Sequence, residues 1–239
     1  MVEQSPKPVF VLASDRPWNR DLAARLAKVT GHGFTLIDRG DELTLARLEE
    51  LKPRALFFPH WSSRIPREIH ENFECIMFHM TDLPYGRGGS PLQNLIARGH
   101  RETVMTAFRC VEEMDAGAVY LKRPFNLDGA AREIYRRADR LIEEMIVQII
   151  EEQPEPVEQV GEVVEFRRRR PGDGDLASLQ SLERVYDYIR MLDAEGYPNA
   201  FLETERFRLE FSGATDNKDN LTAEVRITLR QKSESLENS

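Results

Sequence analysis

Two residues of this sequence, His79 and Asp115, have the types and the setting of an acid–base pair. An imidazole exchanges protons near neutral pH, and a neighbouring carboxylate favours its protonated form. His79 follows the apolar run Cys75–Phe78 and precedes a loop rich in glycine and proline, and Asp115 lies 36 positions later in a turn. A single histidine is more often a structural residue of the core, and a single aspartate is more often an ordinary turn residue. Together, at the ends of neighbouring strands, they indicate proton transfer with a bound substrate.

The segments before His79 alternate between strand-like and helix-like patterns. The predicted strands are Val9–Leu12, Phe34–Ile37, Ala55–Phe58 and Cys75–Phe78, and the predicted helices are Asn19–Thr30 and Leu43–Leu51. Short apolar strands that alternate with helices predict βαβ units and a parallel sheet covered on both faces. Ligands of such sheets bind beyond the carboxyl ends of the strands, where His79 lies. We therefore expect an α/β protein with a Rossmann-like, mostly parallel sheet.

The rest of the chain continues this pattern and then changes. It predicts a helix Leu92–Arg98, strands Val104–Cys110 and Val119–Leu121, and a long helix Ala130–Ile150. The acidic, proline-containing segment 151–160 predicts a linker after a first domain of residues 1–150. Beyond it we expect a small α+β extension over 161–232, with a helix Ser181–Leu192 and an antiparallel pair Phe207–Phe211 and Ala223–Leu229, and a disordered tail over 233–239.

The composition excludes several classes of protein. The chain has 239 residues, 33 basic and 41 acidic, for a net charge of −8, which disfavours a dedicated nucleic-acid binder. Two cysteines supply neither a disulfide framework nor a four-cysteine zinc site. No apolar run reaches the roughly 18 residues of a membrane span, and the N-terminus lacks the pattern of a secretory signal. We therefore expect no membrane insertion and a cytoplasmic location.

Other motifs give weaker signals. The glycines around Arg87 could hold a phosphate before the next helix, although their spacing is not that of a P-loop. The turn Ser14-Asp15-Arg16 lacks a dinucleotide-binding motif, and no Gly-x-Ser-x-Gly motif supports a hydrolase triad. The five histidines have no metal-ligand spacing, so no metal is expected. The run Arg167–Arg170 fits a solvated strand end or, less readily, a phosphate site.

The loop after His79 resembles the signature of the 10-formyltetrahydrofolate-dependent formyltransferases. The matching residues are His79, Leu83-Pro84, Arg87-Gly88, Pro91, Gln93, Ile96, Gly99, Thr103, Asp115 and Gly117. The likeness covers residues 8–150 and continues through 166–171 and 189–192. It implies a formyltransferase catalytic domain over 1–150, a 10-formyltetrahydrofolate donor, and attack of a substrate amine on the formyl carbon.

The resemblance also implies roles for particular residues. His79 would stabilise the oxyanion, and Asp115 would orient water and the histidine for proton transfer. The family pattern Asn-x-His is Met77-Phe78-His79 here, and a thioether cannot donate a hydrogen bond, so Asn94 is a candidate replacement. The residues expected at the folate are Trp61, Ile65, Pro66, Leu83, Pro84 and Gly117, and those expected at the acceptor are Arg87, Gly88 and Arg16.

The chain length and the loop after His79 are most similar to those of formyltransferases of nucleotide-linked amino sugars, of the pseudaminic-acid type. This implies a UDP- or dTDP-linked amino-dideoxy sugar as acceptor and no nucleic-acid partner, with an extension that covers the cleft or forms a homodimer. Two alternatives stay open. One is an enzyme like the methionyl-tRNA formyltransferases, and the other is a folate- or sugar-nucleotide-binding homologue impaired by Met77.

Overall fold

The computed structural model of the chain describes residues 9–16, 19–61 and 63–230. These residues form two compact units. The first comprises the described residues of Met1–Pro91, Glu102–Asn126 and Tyr135–Arg167. The second comprises Leu92–Arg101, Leu127–Ile134 and the described residues of Arg168–Ser239. The predicted disordered tail, 233–239, lies outside the described residues.

A six-stranded sheet forms the centre of the first unit. Its strands are β1 (Val9–Ala13), β2 (Gly33–Ile37), β3 (Ala55–Phe58), β4 (Cys75–His79), β6 (Glu102–Arg109) and β7 (Val119–Asn126), and their order is β2-β1-β3-β4-β6-β7. The first four are mutually parallel, whereas β6 runs antiparallel to β4 and β7 antiparallel to β6. The predicted α/β class with a mostly parallel sheet is therefore confirmed.

The helices follow the predicted order. They are α1 (Leu22–Thr30), α2 (Leu45–Leu51), the single turn α3 (Arg67–His70), α4 (Pro91–Ala97), α5 (Ala131–Glu152) and α6 (Leu182–Arg190). Gly31 ends α1 in the left-handed conformation, which glycine adopts without strain. The hydroxyl groups of Thr44 and Ser181 accept backbone N–H bonds at the starts of α2 and α6. Among the described residues, no helix is both long and apolar enough to span a bilayer.

Alternating side chains of the strands form the core of the first unit. Residues two apart on a strand point to the same face. Val11 and Ala13 of β1 and Leu56 and Phe58 of β3 accordingly share one buried cluster, which Leu48 of α2 joins. Full burial of a leucine or phenylalanine side chain contributes about 1.5–3 kcal/mol.

Residues 85–88, expected as a loop, form a further short strand. This strand, β5 (Tyr85–Gly88), pairs in parallel with β8 (Val164–Phe166) in a separate two-stranded sheet. Gly88 has a φ of +104°, and a Cβ there would lie 2.5 Å from the carbonyl oxygen of Phe166. Only glycine tolerates both this backbone conformation and this close approach. Gly88 is therefore required for the pairing of the two strands.

The segment predicted as a linker, 151–160, is bound to the first unit. Helix α5 continues to Glu152, and Val157 then exchanges two backbone hydrogen bonds with Val119 of β7, at 2.7 and 2.9 Å. The composition indicated a solvated connection. The segment is held instead by backbone N–H and C=O groups, which form hydrogen bonds regardless of the composition of the side chains.

The second unit contains α6 and a three-stranded antiparallel sheet. Its strands are β9 (Ala200–Glu203), β10 (Phe207–Asp216) and β11 (Leu221–Leu229), in the order β11-β10-β9. The pairing of β10 with β11 was predicted, whereas the short β9 was not. Inside this unit, the buried guanidinium of Arg190 pairs with Asp187 at 2.8 Å and donates to the carbonyl oxygens of Leu127 and Gly129.

Candidate active site

His79, the last residue of β4, is held by a backbone carbonyl group. Its side chain is 10% exposed, and its Nε2 lies 2.8 Å from the carbonyl oxygen of Gly86. A carbonyl oxygen only accepts, so we assign the proton of the neutral ring to Nε2. The lone pair is then on Nδ1, which lies 3.9 Å from Oδ2 of Asp115. Nδ1 is therefore the atom that can take up a proton.

Asp115 reaches His79 through a loop that folds back. Because β6 runs antiparallel to β4, with Arg109 opposite Ile76, the loop 110–118 begins beside the start of β4, away from His79. Both residues were predicted at the ends of neighbouring strands, without this reversal of the chain. Asp115 has a φ of 54°, in the left-handed region, and its Oδ2 accepts the N–H of Gly88 at 2.8 Å. The carboxylate is therefore fixed by β5 as well as by its own loop.

Gly117 allows the same loop to return. A Cβ at this position would lie 1.9 Å from the carbonyl oxygen of Arg109, so that no other residue fits without a backbone shift. Gly117 was predicted to contact folate. In the structure, glycine is required here because a side chain would collide with the backbone at the end of β6. Contact of Gly117 with folate stays a prediction.

Arg87 was predicted to contact the acceptor, but its guanidinium binds groups of the first unit. It donates to Oε1 of Gln159 at 2.9 and 3.2 Å and to Glu113 at 2.8 Å, and its side chain is only 12% exposed. The side-chain amide of Gln159 donates in turn to the carbonyl oxygens of Asp115 and Gly117, at 2.8 and 2.9 Å. Arg87 and Gln159 thus hold the loop that carries Asp115. Gln159 has no signal in the sequence, because it lies in the segment whose composition predicts a linker.

The glycines around Arg87 do not form an open phosphate-binding loop. Gly88 donates its N–H to Asp115, and Gly89 donates its N–H to the carbonyl oxygen of Phe166 at 3.0 Å. These donors are already used within the chain, because the segment is strand β5 and its continuation. These N–H groups therefore do not form the expected phosphate cradle in this structure, and contact of Arg87 and Gly88 with the acceptor stays a prediction.

The residues predicted at the folate are mostly interior. Trp61, Ile65 and Leu83 are at most 8% exposed, and the ring of Trp61 packs edge-to-face on Phe58 at 5.9 Å. Pro84 is buried as well, and Pro66 is half-buried before α3. Trp61 and Ile65, which follow β3, belong to the buried cluster of the first unit, which accounts for their burial. One polar atom among them, the indole Nε1 of Trp61, is buried without a hydrogen-bond partner among the described residues. Their contact with folate stays a prediction.

Met77, which departs from the Asn-x-His pattern, and the two remaining predicted site residues, Asn94 and Arg16, lie in different settings. Met77 shares a face of β4 with His79 and is half-buried against the core. Asn94 is buried on α4 in the second unit, where its Oδ1 accepts from Arg98 at 3.2 Å. Arg16 lies 3.4 Å from Asp15. The roles suggested for Asn94 and Arg16 stay predictions.

Two further pairs of side chains, His60 with Asp139 and Cys75 with Cys110, lie in the first unit. His60 and Asp139, 79 positions apart, are joined by a hydrogen bond of 2.8 Å, which no local pattern could predict. Burial raises the pKa of the Cys110 thiol to about 11 and also raises the pKa of Cys75. In the part of the chain that the structure describes, no three His, Cys, Asp or Glu side chains are grouped as metal ligands.

Comparison with known proteins gives one family match and many relatives. The family model described as "Methionyl-tRNA formyltransferase, C-terminal domain" matches residues 171–228. A solved methionyl-tRNA formyltransferase from Clostridium thermocellum is 42% identical, covers 93% of this chain and 100% of its own, and superimposes with a TM-score of 0.90. A methionyl-tRNA formyltransferase of Malacoplasma penetrans is 26% identical over 183 residues, which are 72% of this chain and 57% of that protein. The chain spans about half the length of the curated relatives it matches.

A third comparison shows the fold alone. HypX from Aquifex aeolicus, solved in complex with tetrahydrofolic acid, is 20% identical and has a TM-score of 0.70, over 88% of this chain and 38% of its own. The names of the relatives contradict the expectation of a nucleotide-linked amino sugar as acceptor and of no nucleic-acid partner, because they specify methionyl-tRNA. The length of the chain does not distinguish the two kinds of acceptor, because the solved relative with tRNA in its name has a chain that this one covers completely.

Proposed function

Because this chain belongs to the formyltransferase family, we propose that it transfers the formyl group of 10-formyltetrahydrofolate to the amino group of methionyl-tRNA. The observation that carries this proposal is the 42% identity over the full length of the Clostridium thermocellum chain. The relative Malacoplasma penetrans protein carries the same name. We assign the chemistry to the first unit, which contains both His79 and Asp115.

The geometry around His79 supports an acid–base role in this reaction. When the amine attacks, it must lose a proton, and Nδ1 of His79 presents a lone pair for it. The ring then carries N–H groups on both nitrogens, with Nε2 still bound to Gly86 and the new positive charge beside Asp115. The Nδ1–H group can donate to the carbonyl oxygen of the formyl group as that oxygen becomes negative, and such a donor contributes about 2.7–4 kcal/mol.

One buried atom, the indole Nε1 of Trp61, supports binding of the formyl donor. When bound, 10-formyltetrahydrofolate would supply a formyl carbon on a nitrogen that leaves as an amine, after it takes the proton that His79 accepted from the attacking amine. The buried indole N–H of Trp61 has no partner among the described residues, and a pterin ring carries acceptors for it. We therefore keep Trp61, with Pro66 and Pro84, as the residues that would hold the donor.

A nucleic-acid acceptor is compatible with the charge of the chain only through a local basic site. The net charge of −8 opposes phosphate binding, whereas the run Arg167–Arg170 concentrates positive charge. Arg168 and Arg170 are exposed. We expect the double variant Arg168→Ala, Arg170→Ala to raise the KM for methionyl-tRNA and to lower its dependence on salt, with kcat unchanged.

The direct test is formylation of methionyl-tRNA by the purified full chain with 10-formyltetrahydrofolate. We expect formylmethionyl-tRNA to form, and His79→Ala to lower kcat by at least about 100-fold, since removal of one oxyanion donor costs that much. Asp115→Asn should also lower kcat, because the positive charge on the His79 ring then has no carboxylate beside it. Asp219→Asn, at an exposed turn, is the matched control and should be fully active. Absence of product with the unmodified chain, or full activity of His79→Ala, would refute the proposal.

Met77 favours a second candidate function, a homologue that binds its ligands without turnover. A thioether in place of the amide removes one donor to the oxyanion. Under this alternative, calorimetry would detect binding of tetrahydrofolate while no formyl transfer occurs. Met77→Asn would then restore transfer, because residues 77 and 79 share one face of β4.

A further inference from the structure

Strand β11 is an exposed edge with an apolar face. It is the outer strand of the sheet β11-β10-β9, and no other strand of the described residues pairs with its free side. Val225, Ile227 and Leu229 are 46, 62 and 73% exposed, and the facing Phe207 of β10 is 42% exposed. An exposed strand edge beside apolar side chains is a template for pairing with another chain.

The sequence of β11 is symmetric about Val225 in the chemistry of its side chains. Reading outward from Val225, each pair of positions matches: Glu224 with Arg226, Ala223 with Ile227, Thr222 with Thr228, and Leu221 with Leu229. In an antiparallel pair centred on one residue, the positions at equal distance before and after it lie opposite each other. A second copy of β11 therefore meets apolar with apolar side chains, threonine with threonine, and acid with base.

The charges on the other face of the sheet add to this match. Within one chain, Arg226 already donates to Glu210 of β10 at 2.8 Å. In the symmetric pair, Glu224 of the second copy lies on the other side of Arg226, so that each arginine stands between two carboxylates. Opposite charges placed directly across two strands stabilise their pairing. This complementarity specifies a second copy of the chain as the occupant of the edge.

We propose that two copies of the chain form a symmetric dimer by antiparallel pairing of their β11 strands, with the two Val225 residues at the twofold axis. The two three-stranded sheets then become one six-stranded sheet. The exposed apolar face becomes continuous across the two copies, and both free edges are closed. A twofold interface of this kind needs only one self-complementary surface, which β11 supplies.

The charge pairs allow a sharp test with the full-length chain. Analytical ultracentrifugation should show a dimer of the unmodified protein in the micromolar range. Glu224→Arg sets Arg against Arg at both pairs of the dimer, and Arg226→Glu sets Glu against Glu. Each variant alone should dissociate at least about tenfold more readily, which equals about 1.4 kcal/mol. An equal mixture of the two variants should recover the dimer, because both pairs are then matched.

Glu205→Arg makes the same change of charge at an exposed turn outside β11 and should leave the dimer intact. Thermal unfolding of each variant checks that the monomer is folded, since Arg226→Glu also loses its pairing with Glu210. A monomeric unmodified protein would overturn the proposal. So would a dimer that Glu224→Arg leaves unaffected, or two variants that fail to associate when mixed although both are folded.

Discussion

Gln159 gives the sharpest test of how the candidate site is held together. Its side-chain amide donates to the carbonyl oxygens of Asp115 and Gly117, while its oxygen accepts two bonds from Arg87. Gln159→Glu keeps the size of the side chain and its acceptor for Arg87. It replaces the donating nitrogen by an oxygen, which then faces two carbonyl oxygens.

The expected cost follows from the bonds lost. Each amide donation contributes about 0.5–1.5 kcal/mol, so loss of both costs about 1–3 kcal/mol. The added charge beside Arg87 offsets at most about 1 kcal/mol, the upper value for a surface ion pair, so that with about 1 kcal/mol for each lost bond the net cost is about 1–2 kcal/mol. The loop 110–118 should therefore loosen, and hydrogen exchange of its amides should quicken. Because this loop positions Asp115, we expect kcat/KM to fall about tenfold, which equals about 1.4 kcal/mol of transition-state stabilisation.

Two measurements check this result, urea unfolding and steady-state formylation of methionyl-tRNA. Glu158→Gln is the matched control, because it changes the charge of an exposed neighbour by the opposite amount. The reasoning would be refuted if Gln159→Glu changed the free energy of unfolding by less than about 0.5 kcal/mol, the range of neutral surface substitutions, and left both loop exchange and kcat/KM at the values of the unmodified chain.

Three further predictions concern packing, a buried ion pair and a thiol. Gly117→Ala should destabilise the fold by about 1–3 kcal/mol and lower activity, because its Cβ would meet the Arg109 carbonyl oxygen at 1.9 Å; urea unfolding together with a formylation assay checks both. Arg190→Ala should cost about 3 kcal/mol in thermal unfolding, since Asp187 is then left buried with Arg101 as its one remaining ion-pair partner among the described residues. Burial raises the pKa of Cys110 to about 11, so its alkylation should be slow at pH 7 and quicken as the pH rises towards that value; rapid labelling of the folded chain at pH 7 would contradict this.

Much of the fold was predictable from local patterns. The first four strands, β1 to β4, lie within a residue or so of the predicted apolar runs, because they consist mostly of apolar residues and, apart from the edge strand β2, are largely buried. The direction of β6 was not predicted, since a buried strand has the same composition whether it runs parallel or antiparallel. Strand β5 was missed for another reason: Tyr85–Gly88 contains two glycines and an arginine and has no apolar period.

The candidate site was predictable in part, and the reason differs between its residues. His79 and Asp115 are reactive types beside a distinctive loop, and the structure brings them together, although their roles stay predictions. Arg87 was assigned to the acceptor because a guanidinium suits a phosphate. An amide oxygen and a carboxylate of the same unit are equally good acceptors, and sequence alone does not distinguish them.

The site depends on three separate segments of the first unit, and this has a consequence for its chemistry. Strand β4 and β5 supply His79 and its carbonyl partner, the loop 110–118 supplies Asp115, and the segment after α5 supplies Gln159 and strand β8. The resemblance to formyltransferases rests largely on the first two. Because the third binds Asp115 and Gly117 through hydrogen bonds, we expect the geometry of His79 and Asp115 to depend on residues 157–166 as well as on β5. A chain cut after α5 would therefore retain both side chains, and we expect it to lose one of the supports that keep them 3.9 Å apart.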